Sequence, residues 1–141
     1  MTTMFPQSDR LSKPVRFGDV DWASIPHAPG AYVIYDEDEV IYVGMAGRDR
    51  NGSLRLRLRD HASGQIVNMF AQYLFLSRVQ FVSDERIRHP NEAKMACRAY
   101  LRARCAFRFI TAADGAEARH LEQQLKRELR PVLNPPPSKG S

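Results

Sequence analysis

Five side chains scattered along this sequence carry the chemistry that cutting a phosphodiester bond requires. They comprise two phenols, a guanidinium, an imidazole and a carboxylate, namely Tyr32, Tyr42, Arg57, His61 and Glu122. Hydrolysis needs an activated water, neutralisation of the extra negative charge on five-coordinate phosphorus, and a metal ion or an acid for the departing oxygen. With one divalent cation, these residue types supply all three.

The spacing of the last three residues adds information. Arg57 and His61 stand at i and i+4, so they adjoin on one face of a helix. A guanidinium beside an imidazole is unfavourable unless an anion lies between them, and the alternative is a solvated basic face. Glu122 lies between Leu121 and Leu125 of an apolar stripe, which indicates a half-buried carboxylate. Such a carboxylate either pairs with a basic group or holds a metal.

The two tyrosines lie in short strand-like runs, "GAYVIY" and "VIYVG", on either side of "DEDE". This pattern predicts an antiparallel hairpin. Side chains alternate along a strand, so the pairing register decides whether Tyr32 and Tyr42 share a face. A four-residue loop that pairs Tyr35 with Val40 would place them on opposite faces, whereas a loop of three or five residues would place them together. The alternative is that both tyrosines only pack.

The remaining pattern predicts an α/β fold of the α+β type, in which a small, mostly antiparallel, three-stranded sheet is flanked by helices. The third strand is expected near residues 106–111. A helix over residues 53–62 is favoured because Ser53 can cap it and because Leu54 and Leu58 recur at helical spacing. A second helix, from residue 91 to 104, is expected to pack through its alanines, Ala93, Ala96, Ala99 and Ala103. A third, over 115–129, has an apolar stripe of Ala118, Leu121, Leu125 and Leu129.

A length of 141 residues suits one domain. We expect an N-terminal arm, a catalytic-type domain with a helical insertion, and a disordered tail, with these boundaries: 1–27, 28–134 (insertion about 65–104) and 135–141. The arm would dock through Val20, Trp22 and Ile25. No apolar run approaches the ~18 residues of a membrane helix, and no signal peptide is evident, which predicts a cytoplasmic protein. Cys97 and Cys105 are expected to be buried, reduced thiols.

The charge distribution indicates a polyanionic partner. The net charge is +5, and five arginines fall between residues 48 and 59. On the helix from residue 91, Lys94, Arg98 and Arg102 stand at four-residue steps and form a basic stripe suited to phosphates, although a solvated face is the alternative. The residues expected to bind DNA are Arg48, Arg55, Lys94, Arg98 and Arg102.

These motifs together resemble the GIY-YIG nuclease family. The segments that carry the resemblance are "GAY", "YVG", "RLRDH" and "EARHLEQQLKRELRPVLN", so that it runs from Gly30 to Asn134. The tripeptides Gly30-Ala31-Tyr32 and Tyr42-Val43-Gly44 match the two that name the family. Four further positions match its motif, namely Arg57, His61, Glu122 and Asn134. The chain departs from the family at Ala31 and at Met45, where many members carry lysine; Arg48 is a candidate replacement for that charge.

The resemblance implies a divalent cation on Glu122, Mg²⁺ or Mn²⁺, and hydrolysis of a DNA strand. Tyr32, beside Tyr42, would take a proton from the attacking water or position it, and His61 could share that role. Arg57 would stabilise the phosphorane. Gly30, Gly44 and Asn134 would be structural residues near the site.

The resulting prediction is a metal-dependent DNA endonuclease that cuts one strand per active site and could act as a restriction-like homodimer. Two further hypotheses stay open: a structure-specific repair or recombination nuclease that needs a partner, and a non-catalytic nucleic-acid-binding module on the same fold. RNA stays open as a substrate. The nuclease hypothesis requires the five side chains to meet around one scissile phosphate.

Overall fold

A computed structural model of the chain describes residues 7–47, 52–63 and 90–132. Within these ranges an antiparallel sheet has the strand order β1-β4-β2-β3. Its strands are β1 (Val15–Arg16), β2 (Gly30–Asp36), β3 (Glu39–Ala46) and β4 (Cys105–Thr111). The helices are α1 (Leu54–Ala62), α2 (Pro90–Arg104) and α3 (Gly115–Leu129), besides two short 3₁₀ helices, Gln7–Arg10 and Trp22–Ser24. The predicted α+β class is therefore confirmed.

The sheet has one strand more than the sequence predicted. The additional strand, β1, comes from the N-terminal arm and pairs antiparallel with β4, Val15 facing Phe107. Two residues are too short for a strand pattern to be visible in a sequence. The arm also docks as expected, since Ile25 is buried and both Val20 and Trp22 pack against the core.

The segment "SLRLRLRDHA" alternates leucine and arginine, as a strand would, yet it forms helix α1. Ser53 caps it by accepting a hydrogen bond from the backbone N–H of Leu56. Leu54 and Leu58 are fully buried, whereas Leu56 is exposed. The four-residue spacing of the buried pair therefore decides the structure, as predicted, and the alternation carries no strand.

Helices α2 and α3 differ in how well the sequence predicted their buried faces. The apolar stripe of α3 is confirmed, with Leu121 and Leu125 buried. The expected alanine face of α2 is wrong, because Ala99 and Ala103 are exposed. Cys97 and Leu101 are buried instead, since larger apolar side chains remove more surface from water than alanine does.

The sheet separates two hydrophobic cores because successive side chains of a strand point to opposite faces. On one face, the first core contains buried residues of β2, β3, β4, α1, α2 and the arm, among them Ile25, Tyr32, Ile34, Leu54, Leu58, Leu101 and Phe107. On the other face, the second core joins the sheet to α3 through Val33, Val43, Leu121 and Leu125. Helices α1 and α3 consequently lie on opposite sides of the hairpin.

Most of the expected insertion lies outside the described residues, as do Asn134 and the tail; of the insertion, only its last helix, α2, is described. Both cysteines are buried thiols, as predicted. In the described part of the chain, none of the helices combines the length and apolar character needed to cross a bilayer.

Candidate active site

Tyr32 and Tyr42 share one face of the sheet because of a β-bulge in the hairpin. Tyr35 pairs with Val40, which is the register expected to separate the tyrosines. Between Ile34 and Tyr35, however, the register shifts, so Ile34 pairs with Tyr42. The extra residue in β3 restores the common face, and the two ring centroids lie 6.5 Å apart. The expectation that an odd-length loop is required is therefore wrong, since a bulge achieves the same result.

Gly44 lies directly across from Tyr32 and makes room for its ring. A Cβ at position 44 would come 2.9 Å from Tyr32 Cε2 and closer still to the phenol oxygen. Gly30 is similarly confined, because a Cβ there would come 3.1 Å from Leu54 Cγ. Both glycines are thus needed for the fit of neighbouring side chains around the hairpin.

Three rings converge beside the bulge. The Tyr32 Oη and His61 Nε2 atoms lie 2.5 Å apart, and neither side chain has significant solvent exposure (0% and 1%). The His61 ring also meets Tyr42 edge-on, at a centroid distance of 5.7 Å. Tyr42 is only half-buried, so it is the ring of the three through which this cluster meets solvent.

The Tyr32 phenol is held in its neutral form. Burial raises its pKa well above the ordinary value, and the neighbouring Tyr42 raises it further, whereas the charge and hydrogen bond of Arg57 act in the opposite direction. Arg57 has only donors, so it must donate to the phenol oxygen. The same oxygen lies within hydrogen-bond distance of Nε2 of His61, and the imidazole tautomer sets the direction of that bond.

Arg57 and His61 tolerate each other at i and i+4 because a third group lies between them. The expected intervening anion is replaced by the neutral phenol oxygen of Tyr32, which accepts from Arg57 and shares a hydrogen bond with His61. Each group therefore has a partner of the right polarity.

Glu122 belongs to a helix that packs against the other face of the hairpin. It lies on α3, whose buried residues belong to the second core, whereas the Tyr32 ring belongs to the first. Its negative charge nevertheless contributes to the raised pKa of Tyr32, so the two groups interact electrostatically. The Glu122 side chain is 18% exposed and its Oε1 lies 3.7 Å from Lys126 Nζ.

Comparison with known proteins assigns the chain. The family described as "GIY-YIG catalytic domain" matches residues 20–139. The chain belongs to the GIY-YIG family. No curated protein matches it significantly.

Solved GIY-YIG structures are similar to this chain at low sequence identity. The magnesium-bound GIY-YIG N-terminal endonuclease domain of UvrC from Thermotoga maritima is 19% identical over 81% of this chain and 91% of that chain, with a TM-score of 0.44. A point mutant of the same domain, bound to its catalytic divalent cation, is 20% identical over 82% and 91%, with a TM-score of 0.43.

The two tripeptides that name the GIY-YIG family lie on β2 and β3, and Tyr32 pairs with Gly44 across these strands. Four of the five expected site residues form one connected cluster: Tyr32, Tyr42, Arg57 and His61. Glu122 is linked to this cluster through its charge.

The donor set at Glu122 fits a loosely held hard cation. Among residues 7–47, 52–63 and 90–132, His, Cys, Asp and Glu nowhere form a group of three that could hold a metal ion. A single carboxylate would leave the other positions to water and to substrate phosphates. Mg²⁺ is commonly bound in this way, through one or two carboxylates with several waters.

The residues expected to bind DNA have different surroundings. Arg48 lies outside the described residues. Arg55 donates through Nε to Ile25 O and through Nη2 to Ala23 O. On α2, Lys94 and Arg98 are half-buried and Arg102 is exposed.

Sequence reasoning did not name the partner of Glu122. The i,i+4 spacing of Glu122 and Lys126 on α3 is the signal that could have found it. The bonds from Arg55 to the arm had no comparable signal, because their acceptors are backbone carbonyls about thirty residues away.

Proposed function

We propose that this GIY-YIG nuclease domain is a metal-dependent DNA endonuclease that hydrolyses one strand per active site. The observation that carries the proposal is the phenol oxygen of Tyr32, which links the guanidinium of Arg57 to the imidazole of His61. A binding module would not require a buried, pre-oriented polar cluster that opens to solvent at one further phenol. A cytoplasmic location is part of the same proposal.

Tyr42 is the group that meets the attacking water. It is half-buried, whereas Tyr32 and His61 are fully buried, so only Tyr42 presents ring surface to solvent. Tyr32 and His61 then hold the cluster in place and provide a path along which a proton can be shared. This division differs from the expectation that Tyr32 or His61 contacts the water directly.

Arg57 supports this proposal through its position on α1. It is exposed, yet it donates to Tyr32, so its remaining N–H groups can face a phosphate. A guanidinium presents five donors in a planar fork that matches phosphate oxygens. In this role it neutralises the charge that builds up on phosphorus in the transition state.

Glu122 is proposed to hold the divalent cation, Mg²⁺ or Mn²⁺. When bound, such a cation supplies charge stabilisation at the departing oxygen. The carboxylate is partly shielded from solvent and lies beside one ammonium group. Glu122 thus offers a negatively charged ligand within electrostatic reach of Tyr32.

The test is nicking of supercoiled plasmid by purified protein in Mg²⁺, with DNA binding measured in parallel. Glu122→Gln is expected to lower the nicking rate roughly a hundredfold or more while leaving DNA binding in EDTA unchanged. Arg57→Ala is expected to lower it about a hundredfold to a thousandfold with Mg²⁺ affinity nearly intact. Wild-type protein that binds DNA yet never nicks it with Mg²⁺ or Mn²⁺ would support a binding module instead.

The same assay distinguishes the kinds of nuclease that this site could serve. Branched DNA cut in preference to linear duplex would favour a repair or recombination nuclease. Linear product formed without a nicked intermediate would favour a restriction-like homodimer. Equal cleavage of single-stranded RNA would widen the substrate class.

A further inference from the structure

The first turn of α1 is held by residues 23–28, the segment that precedes β2. The backbone N–H of Leu54 donates to Ala28 O at 2.9 Å, and that of Arg55 donates to Pro26 O at 3.2 Å. The first N–H groups of a helix have no partner within the helix. Here backbone carbonyls of that segment satisfy two of them, so the position of α1 is tied to it.

The side chain of Arg55 adds a second attachment to the same segment. Its Nε donates to Ile25 O at 2.8 Å, and its Nη2 donates to Ala23 O at 3.1 Å. Ile25 is itself fixed, because it is buried in the first core. Arg55 therefore anchors α1 to a segment that is packed into the first core.

The same helix carries Arg57 and His61. Contact between the buried His61 ring and Tyr32 is short, at 2.5 Å, so a small rotation or shift of α1 would break it. A misplacement of about 1 Å can cost an enzyme roughly a hundredfold in rate. The orientation of the first turn of α1 therefore decides whether the cluster around Tyr32 forms.

We propose that Arg55 is a positioning residue, which acts through the first turn of α1 to hold Arg57 and His61 against the phenol oxygen of Tyr32. Its catalytic consequence rests on the function proposed above. The guanidinium suits this role because its planar fork lets two N–H donors reach the carbonyls of Ala23 and Ile25 at once. The competing role is the phosphate contact that the sequence suggested for Arg55.

The experiment compares Arg55→Ala with Arg59→Ala, which removes the same charge from an exposed position of the same helix. Plasmid nicking gives kcat and KM, the salt dependence of DNA binding gives the number of phosphate contacts, and ¹⁵N NMR reports the imidazole of His61 without nucleic acid. We expect kcat of Arg55→Ala to be at least about tenfold below that of Arg59→Ala. The His61 signals should shift in Arg55→Ala and stay in place in Arg59→Ala.

Arg55→Lys separates position from charge and replaces the alanine variant if that variant does not fold. It keeps the positive charge but cannot donate to two carbonyls in the same plane. A positioning role predicts lower kcat and shifted His61 signals in Arg55→Lys, with KM and the salt slope of the wild type.

A phosphate contact predicts the reverse result. Arg55→Ala would then raise KM and reduce the salt slope, with kcat and His61 signals unchanged, and this outcome would overturn the proposal. If the wild-type protein proves inactive, the proposed function fails on its own. The NMR comparison still decides whether Arg55 positions His61.

Discussion

Tyr32 has no solvent-exposed surface, and its phenol oxygen lies 2.5 Å from Nε2 of His61. A tyrosine in a strand would ordinarily be taken as a packing residue. At this position the ring does pack in the first core, while its oxygen orders two further groups. The same residue therefore serves the fold and the candidate site.

Because burial raises the pKa of Tyr32, the folded protein keeps this proton at pH values where the unfolded chain, with a phenol pKa of about 10, loses it. The resulting stability is fully present below about pH 10 and is lost as the pH rises above it. We expect the free energy of unfolding of the wild type to fall more steeply above pH 10 than that of Tyr32→Phe, by up to about 1.4 kcal/mol per pH unit.

Urea titrations at several pH values from 8 to 11 measure this difference. Tyr100, whose pKa burial and its hydrogen bond to Asp36 raise to about 12, is present in both proteins and so cancels in the comparison. Equal slopes for wild type and Tyr32→Phe would mean that Tyr32 ionises normally.

Lys126 is expected to compete with a divalent cation for Glu122, since its Nζ lies 3.7 Å from Oε1. Lys126→Met should tighten Mn²⁺ binding in the absence of nucleic acid by roughly twofold to fivefold, as measured by calorimetry or electron paramagnetic resonance. Arg127→Met is the matched control, because it removes one positive charge from the adjacent, exposed position. Similar changes in both variants would contradict a local competition.

Helix α2 carries the basic stripe of Lys94, Arg98 and Arg102 next to the face that it buries in the first core. Cys97 and Leu101 fix the orientation of the helix. Lys94 and Arg98 are half-buried, and Arg102 is exposed. The three side chains are spaced four residues apart along one side of α2. This spacing suits contacts with successive phosphates of a nucleic acid.

Changing Lys94, Arg98 and Arg102 to glutamine should weaken DNA binding and lower the slope of log K against log salt. Removing one phosphate contact reduces the magnitude of that slope by about 0.9, so a fall of about 1.8 to 2.7 is expected if two or three of these side chains bind phosphates. Fluorescence anisotropy at a series of salt concentrations measures the slope.

A triple variant with the same change in net charge is the control for the stripe. It replaces three exposed basic residues outside α2 by glutamine, namely Lys13, Arg119 and Arg127. A slope reduced equally by both triple variants would show that overall charge, and not the face of α2, determines binding.

At the scale of the whole molecule, a second polar cluster joins β2 to α2. It shares no residue with the candidate site. The Asp36 carboxylate, at the end of β2, accepts hydrogen bonds from the Tyr100 hydroxyl and from Arg104 Nε on α2. The guanidinium of Arg104 also lies over the Tyr100 ring, 5.4 Å from its centroid. These contacts fix the end of α2 against the hairpin.

Asp36→Ala should therefore lower the free energy of unfolding by about 1–3 kcal/mol, the cost of leaving hydrogen-bonding partners unsatisfied. Chemical denaturation measures the change. Glu37→Gln, which removes only the exposed ion pair between Glu37 and Arg104, should cost no more than about 1 kcal/mol. Equal losses would show that Asp36 adds nothing beyond a surface charge.

The amino-acid order alone was enough to predict the long helices and strands and several contacts within them. Apolar spacing predicted α1 and the buried stripe of α3, and i,i+4 spacing placed Arg57 beside His61. The family motifs could also be recognised in the sequence, and the match over residues 20–139 confirms the family. These features depend on residues close together in the chain, whose side-chain directions follow from the helical or strand period alone.

How distant parts of the chain meet could be seen only in the folded protein. The bulge after Ile34 placed Tyr42 on the face of Tyr32, and the helix that carries Glu122 packs against the opposite face of the sheet. The acceptors of the Arg55 side chain are two backbone carbonyls of the arm, Ala23 O and Ile25 O. Register shifts and backbone acceptors depend on packing between segments far apart in sequence, and carbonyls are common to every residue, so no local pattern marks them.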